Sequence, residues 1–182
     1  MLYSEFVEIY EALSKTTKKL EKASILAVFL KRLKNQPAEF IYLLKGRVFP
    51  EYDPREFGIS DKLVIKAITK AGGINESDIL KKYRKIGDLG EIAEAFIGKR
   101  KQSILFHSKL ETKKVFANLK GLVEIEGKGA VEKKLSLISE LLTSATGKEA
   151  KYLIRTLLSD LRIGVADVII RDSIAEAFLK EE

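Results

Sequence analysis

The chain has 182 residues, 33 of them basic and 26 acidic, with one histidine, no cysteine and a formal net charge of +7. With 46% hydrophobic and 32% charged residues it reads as a soluble globular protein, which excludes a disordered chain, a disulfide scaffold and thiolate metal sites. No apolar run reaches bilayer length and no leader pattern opens the chain, so no membrane partner is expected and a cytoplasmic location follows.

The first elements are helical. Ser4 is placed to cap a helix to about Leu13, and Thr16 or Thr17 a second helix through Leu33. A short helix is predicted from Pro37 to Lys45, then the loop "GRVFPEYDPREFGIS". Ser60 caps a helix to about Ala71, ended by Gly72 and Gly73, and Asn75 or Ser77 starts another that stops at Gly87. "DLGEIAEAFI" gives one more. After the connector "GKRKQSILFHSKLE", Thr112 opens a helix with Val115, Phe116, Leu119, Leu122 and Val123 on one face, closed by Gly127. Val131, Leu135, Ile138 and Leu142 line the next. "TGKE" has capping-box spacing, with Thr146 as cap and Glu149 reaching back. The helix it opens carries a stripe of Ala150, Leu153, Ile154, Leu157, Leu158 and Leu161. The last helix is apolar nearly all round, which predicts central burial. Strand alternation is absent. The expected fold is therefore all-α, one compact multi-helix domain over residues 1–182.

A repeat runs through the chain. "IAEAF" stands at 92–96 and again at 174–178. Upstream of each lies a Lys-x-x-Ile-basic step, Lys62, Ile65, Lys66 and Lys151, Ile154, Arg155, four residues after Gly58 and Gly147. The pattern allows two pseudo-symmetric helical halves.

Charge points to a partner. Residues 1–34 hold seven basic and four acidic groups, and residues 61–107 ten and six, whereas residues 147–182 hold six and seven. A positive excess spread over several segments fits a folded face that follows a polyanion. It also fits a lysine-rich solvated surface.

Three helix junctions narrow the choice. In "LRIGVAD", Arg162 precedes Gly164, and Ala166 lies where the final helix begins. Free amides at that start, a helix dipole and a guanidinium would together hold a phosphate. The alternative is that Gly164 is the terminating glycine of the preceding helix. "EGKGAVEKK" places Gly127, Lys128 and Gly129 before a helix, and "SKTTKK" places Thr17 and Lys18 before another. Lysine in a first turn opposes the dipole unless an anion is bound there. Catalytic patterns are missing: there is no GxxxxGK[ST] loop, no GxGxxG and no Asp-Gly dipeptide, and His107 has no partner for nucleophilic chemistry.

The whole chain resembles the N-terminal DNA-binding domain of archaeal and eukaryotic ATP-dependent DNA ligases. The likeness rests on "GRVFPEYDPREFGISDKLVIKAI", "GDLGEIAE", "VEIEGKGAVEKK" and, above all, "EAKYLIRTLLSDLRIGVADVIIRDSIAEAF" from Glu149 to Phe178. It implies a helical domain that lies on nicked duplex DNA and contacts minor-groove phosphates, in replication and repair. Carried onto this chain, the contacts would be Thr17, Lys18, Lys66, Gly127, Lys128, Gly129, Arg155, Arg162, Gly164 and Ala166. The resemblance implies no catalytic residue, metal or cofactor here, because ATP and Mg²⁺ belong to catalytic domains outside this chain. It also implies that "QSILF" is a sliding-clamp motif, with Gln102, Leu105 and Phe106 in contact. A helical protein-interaction module docking on the clamp is the alternative reading.

Overall fold

The structure is a computed structural model that describes residues 1–101 and 109–179. Its elements are α1 (Tyr3–Ser14), α2 (Lys19–Leu33), a 3₁₀ helix (Ala38–Lys45), α3 (Asp61–Gly72), α4 (Glu76–Ile86), α5 (Leu89–Lys101), α6 (Thr112–Glu124), α7 (Ala130–Ser144), α8 (Gly147–Leu157) and α9 (Asp167–Phe178). Among the described residues there is no strand, only an isolated bridge between Leu2 and Glu111. The fold is all-α. No helix among the described residues is long and apolar enough to cross a membrane.

The centre is α8. Its capping box forms as the sequence predicts: the Thr146 amide donates to Glu149 Oε2 at 2.7 Å and the Glu149 amide to Thr146 Oγ1 at 3.3 Å. From there Ala150 and every residue from Tyr152 to Leu157 are buried. Its main neighbour is α5, and the two approach at backbone distance. A methyl group added at Gly147 would stand 2.8 Å from the Glu94 carbonyl oxygen and 3.0 Å from the Gly98 Cα. One added at Gly90 would meet the Lys151 carbonyl at 2.9 Å. Only glycine fits this contact, because neither backbone has a flexible atom to move aside.

Around this pair, α3 packs on α7, α2 on α9, and α1 on α2 and α8. An aromatic cluster joins the last group: Phe6 meets Phe29 edge-on at 4.9 Å between centroids, and Tyr10 meets Tyr152 at 5.0 Å. The buried Tyr10 hydroxyl is satisfied by the Leu43 carbonyl at 2.8 Å, as an interior hydroxyl requires.

Several local expectations are corrected. Ser4 does not cap α1; the cap residue is Leu2, two residues earlier, and the Glu5 carboxylate takes the Leu2 amide at 2.9 Å. The cap residue of α2 is Lys18, while Thr16 Oγ1 accepts the Lys18 amide and donates to Glu21. Helix α6 ends at Glu124, before Gly127. Val131 is exposed, leaving Ile138 and Leu142 as the buried part of its stripe.

The largest correction concerns α9, which is not centrally buried. Lying against α2, it buries Ile169, Ser173 and Ala177, one stripe at four-residue steps, while Ile174 is 37% and Phe178 46% exposed. The repeated pentapeptide consequently has two environments. In α5 its Ile92 and Ala93 are fully buried, and in α9 the equivalent Ile174 is exposed.

Candidate nucleic-acid interface

The α8–α9 junction is built from alternation. Leu161 and Ile163 are buried pegs, and Arg162 and Gly164, which alternate with them, are exposed. This spacing turns the connector into a corner instead of a floppy loop. Gly164 does not terminate α8; that helix closes at Leu158, and Ser159 takes a left-handed backbone with φ 57°. Arg162 is left-handed too, at φ 56°, a conformation that costs a non-glycine residue about 1–2 kcal/mol. Its guanidinium is pinned on both sides, by Asp160 Oδ2 at 2.6 Å and Asp88 Oδ2 at 3.1 Å.

Behind the corner lies Lys22 of α2. Its buried ammonium donates to the carbonyls of Ile163 and Gly164. No carboxylate pairs with it among the described residues, and burial lowers its pKa. Gly164 has φ +61°, and a methyl group there would stand 2.7 Å from Lys22 Nζ. Ala166 is the cap residue of α9 and offers no side-chain acceptor, so the first amides of that helix gain no cap. The Asp167 carboxylate in the first turn is engaged by Lys45.

Asp88 organises the inner side of the corner. It is buried, caps α5 through the Gly90 amide at 2.8 Å, and accepts Arg155 Nη2 at 2.7 Å besides Arg162. Burial opposes its charge, but the Arg155 guanidinium outweighs that and holds the carboxyl below the usual aspartate range. Arg155, expected among the phosphate contacts, points inward. It is 9% exposed and committed to Asp88 and Glu91.

The other expected residues fall into two groups. Thr17 and Lys18 are exposed at the start of α2, one turn before Lys22, whose ammonium donates to the Gly164 carbonyl. Lys66 is exposed on α3, whose first residue, Asp61, lines the same hollow as Arg162. Gly127, Lys128 and Gly129 are exposed as a separate corner, with φ 79° and 81° at the glycines. The loop after the 3₁₀ helix connects this corner to the first. At one end Gly46 stands 3.6 Å from the Leu161 side chain, measured from where a Cβ would lie. At the other the Phe57 carbonyl takes Lys134 Nζ at 3.0 Å, one turn into α7. Between them a cleft of about 260 Å³ is lined by Lys45, Arg47, Arg55, Val123 and Ser159. Within the loop the Arg55 guanidinium lies 3.7 Å over the Phe49 ring, and its bonds to Asp53 bring that carboxyl down to about 2. Gln102, Leu105, Phe106 and His107 lie outside the described residues.

The family described as DNA ligase N terminus matches residues 2–175. The chain belongs to the DNA ligase N-terminal family. Relatives include DNA ligases of Thermococcus fumicolans, 40% identical over 179 residues and 98% of this chain, and of Methanosphaera stadtmanae, 40% identical over 180 residues and 97% of it. The DNA ligase of Nanoarchaeum equitans is 40% identical over 178 residues. This N-terminal domain spans about a third of the length of those ligases, 32%, 32% and 31% in turn.

Two residues of the ligase-type domain escaped the sequence reading, Asp88 and Lys22. Each left a signal. Asp88 precedes a helix in a cap-competent place, between two glycines. Lys22 interrupts the apolar stripe of Ala23, Leu26 and Leu30, where a lysine must find acceptors or shift.

Proposed function

We propose that this chain is the duplex-binding domain of an ATP-dependent DNA ligase, acting in replication and repair, and that it grips minor-groove phosphates on either side of a nick. The observation that carries the reading is the α8–α9 corner. Two buried pegs present Arg162 and Gly164 outward, Lys22 adds a buried positive charge behind them, and uncapped α9 amides lie alongside. Such a corner meets a sugar–phosphate backbone without reading bases. Lys18 and Thr17 extend it on one side, and Gly127, Lys128 and Gly129 form a second corner across the loop. Ala166 contributes backbone alone, and Arg155 acts by positioning Arg162 through Asp88. ATP and Mg²⁺ chemistry belongs to the part of a ligase outside this chain, which carries no Lys-x-Asp-Gly adenylation motif.

A mobility-shift titration with nicked duplex tests this. Arg162→Glu replaces a phosphate-facing cation by an anion and weakens binding at least tenfold at matched salt, the scale of a lost charge-assisted contact. Parent-like binding by that variant contradicts the reading. The "QSILF" stretch is proposed as a sliding-clamp contact on its sequence; Phe106→Ala abolishes clamp pull-down and leaves duplex binding intact, and clamp capture by that variant counts against it.

A further inference from the structure

The hollow beneath the Arg162 corner has an unfavourable charge balance for a polyanion. About 160 Å³ in volume, it is lined by three carboxylates, Asp61, Asp88 and Asp160, against two guanidinia, Arg155 and Arg162. These charges hold one another in place, and their sum is negative. At physiological salt, fields persist over about 8 Å. A phosphate approaching this corner therefore depends on cations beside it, in addition to those within it.

Such cations stand on α3 and α4. Lys62, Lys66 and Lys70 recur at four-residue steps and are all exposed, while Leu63, Val64, Ala67, Ile68 and Ala71 lock the opposite face inward. The rotation of α3 is thus fixed with the lysines out. Helix α4 is clipped beside it by the Tyr83 hydroxyl, which donates to Asp61 Oδ2 at 2.7 Å. Arg84 and Lys85 follow that clip and are exposed. Among the described residues none of these five cations pairs with a carboxylate. Lys45, Lys114, Lys120, Lys148 and Lys151 all do, within 3.5 Å. Unpaired cations crowded on two adjoining helices repel one another, a cost that an anionic partner removes.

We infer that the α3–α4 face is a second backbone-binding surface, continuous with the Arg162 corner, which adds positive potential beside a hollow whose own charges sum to negative. This inference rests on the duplex-binding reading and assigns Lys62, Lys70, Arg84 and Lys85 to it together with Lys66. The row from Lys62 to Lys70 is about 12 Å long at 1.5 Å per residue, roughly three or four phosphates of one strand. The lysines contact phosphates as point charges on flexible stems, so the face confers length of footprint and no base preference.

The test is a salt titration of nicked-duplex binding, by fluorescence anisotropy, with the intact chain. The triple variant Lys62→Gln, Lys66→Gln, Lys85→Gln is compared with a control of equal charge loss elsewhere, Lys31→Gln, Lys34→Gln, Lys113→Gln. All six side chains are exposed, and equal melting temperatures confirm folding. The first triple flattens the slope of log K against log salt by about 2 to 3, near 0.9 per contact, and the control changes it by less than one. An unchanged slope in the first triple, or an equal change in both, overturns the inference. If the triple behaves as the parent while Arg162→Glu weakens binding, this inference alone falls. If the parent binds no duplex, the reading beneath it falls as well.

Discussion

Asp88 is the residue on which two others depend. It neutralises Arg155, which is otherwise a buried charge, and it steadies Arg162, whose left-handed backbone needs support. Asp88→Ala removes the nearer and more buried of the two carboxylates on Arg155, leaving only Glu91 at 3.2 Å, which costs about 3 kcal/mol. In a domain of this size that lowers the melting temperature by about 6 °C or more, read by calorimetry or circular dichroism. The same variant weakens duplex binding, because Arg162 loses one of its two carboxylate partners. The acid limb follows from the direction of the shift. The folded carboxyl titrates below its unfolded value of about 3.9, so its stabilisation is complete above that pH and is lost as pH falls through the folded value. Melts recorded downward from about pH 5 drop more steeply for the parent than for Asp88→Asn. A parallel fall in both removes Asp88 from the account.

At the scale of elements, the α5–α8 contact is the tightest joint, and glycine makes it. Gly147→Ala sets a methyl group against two backbones and costs about 1–3 kcal/mol as overpacking, whereas Thr146→Ala, one residue earlier, costs about 1 kcal/mol through the lost cap. Denaturant melts that rank the two equal to parent contradict the joint. The cap was legible in "TGKE" because a capping box closes within four residues. Ser60 and Gly87 were legible for the same reason. Helix α9 was not, because a count of apolar residues does not say which partner a helix meets; α2 covers one stripe only. The paired IAEAF segments show the same limit. The leading isoleucine is buried in α5 and exposed in α9, whereas the second alanine is buried in α9 and only half-buried in α5, since burial belongs to the neighbours. The exposed corner residues Arg162 and Gly164 were legible, but the carboxylate and the lysine that hold them arrive from about 70 and 140 residues away in sequence, from the α4–α5 turn and α2 respectively.

Across the whole molecule, the charge of +7 is distributed with a purpose that pairing reveals. Two inward cations, Arg155 and Lys151, are spent on carboxylates that join α5 to α8. Among the described residues, exposed cations without a carboxylate partner include Lys18 at the α1–α2 junction, Lys128 and the row along α3 and α4, besides Lys31, Lys34 and Lys113 elsewhere. Arg162 at the α8–α9 corner is held by Asp88 and Asp160. The duplex binding proposed above runs through phosphates and is therefore expected to be indifferent to base order. The most direct measurement is the affinity of the chain for two nicked duplexes of equal length and unrelated sequence, each across a series of salt concentrations. Binding through phosphates alone predicts superimposable curves that fall steeply with salt, and an equal loss on both from Arg162→Glu. A marked preference for one sequence, or affinity that ignores salt, would contradict it.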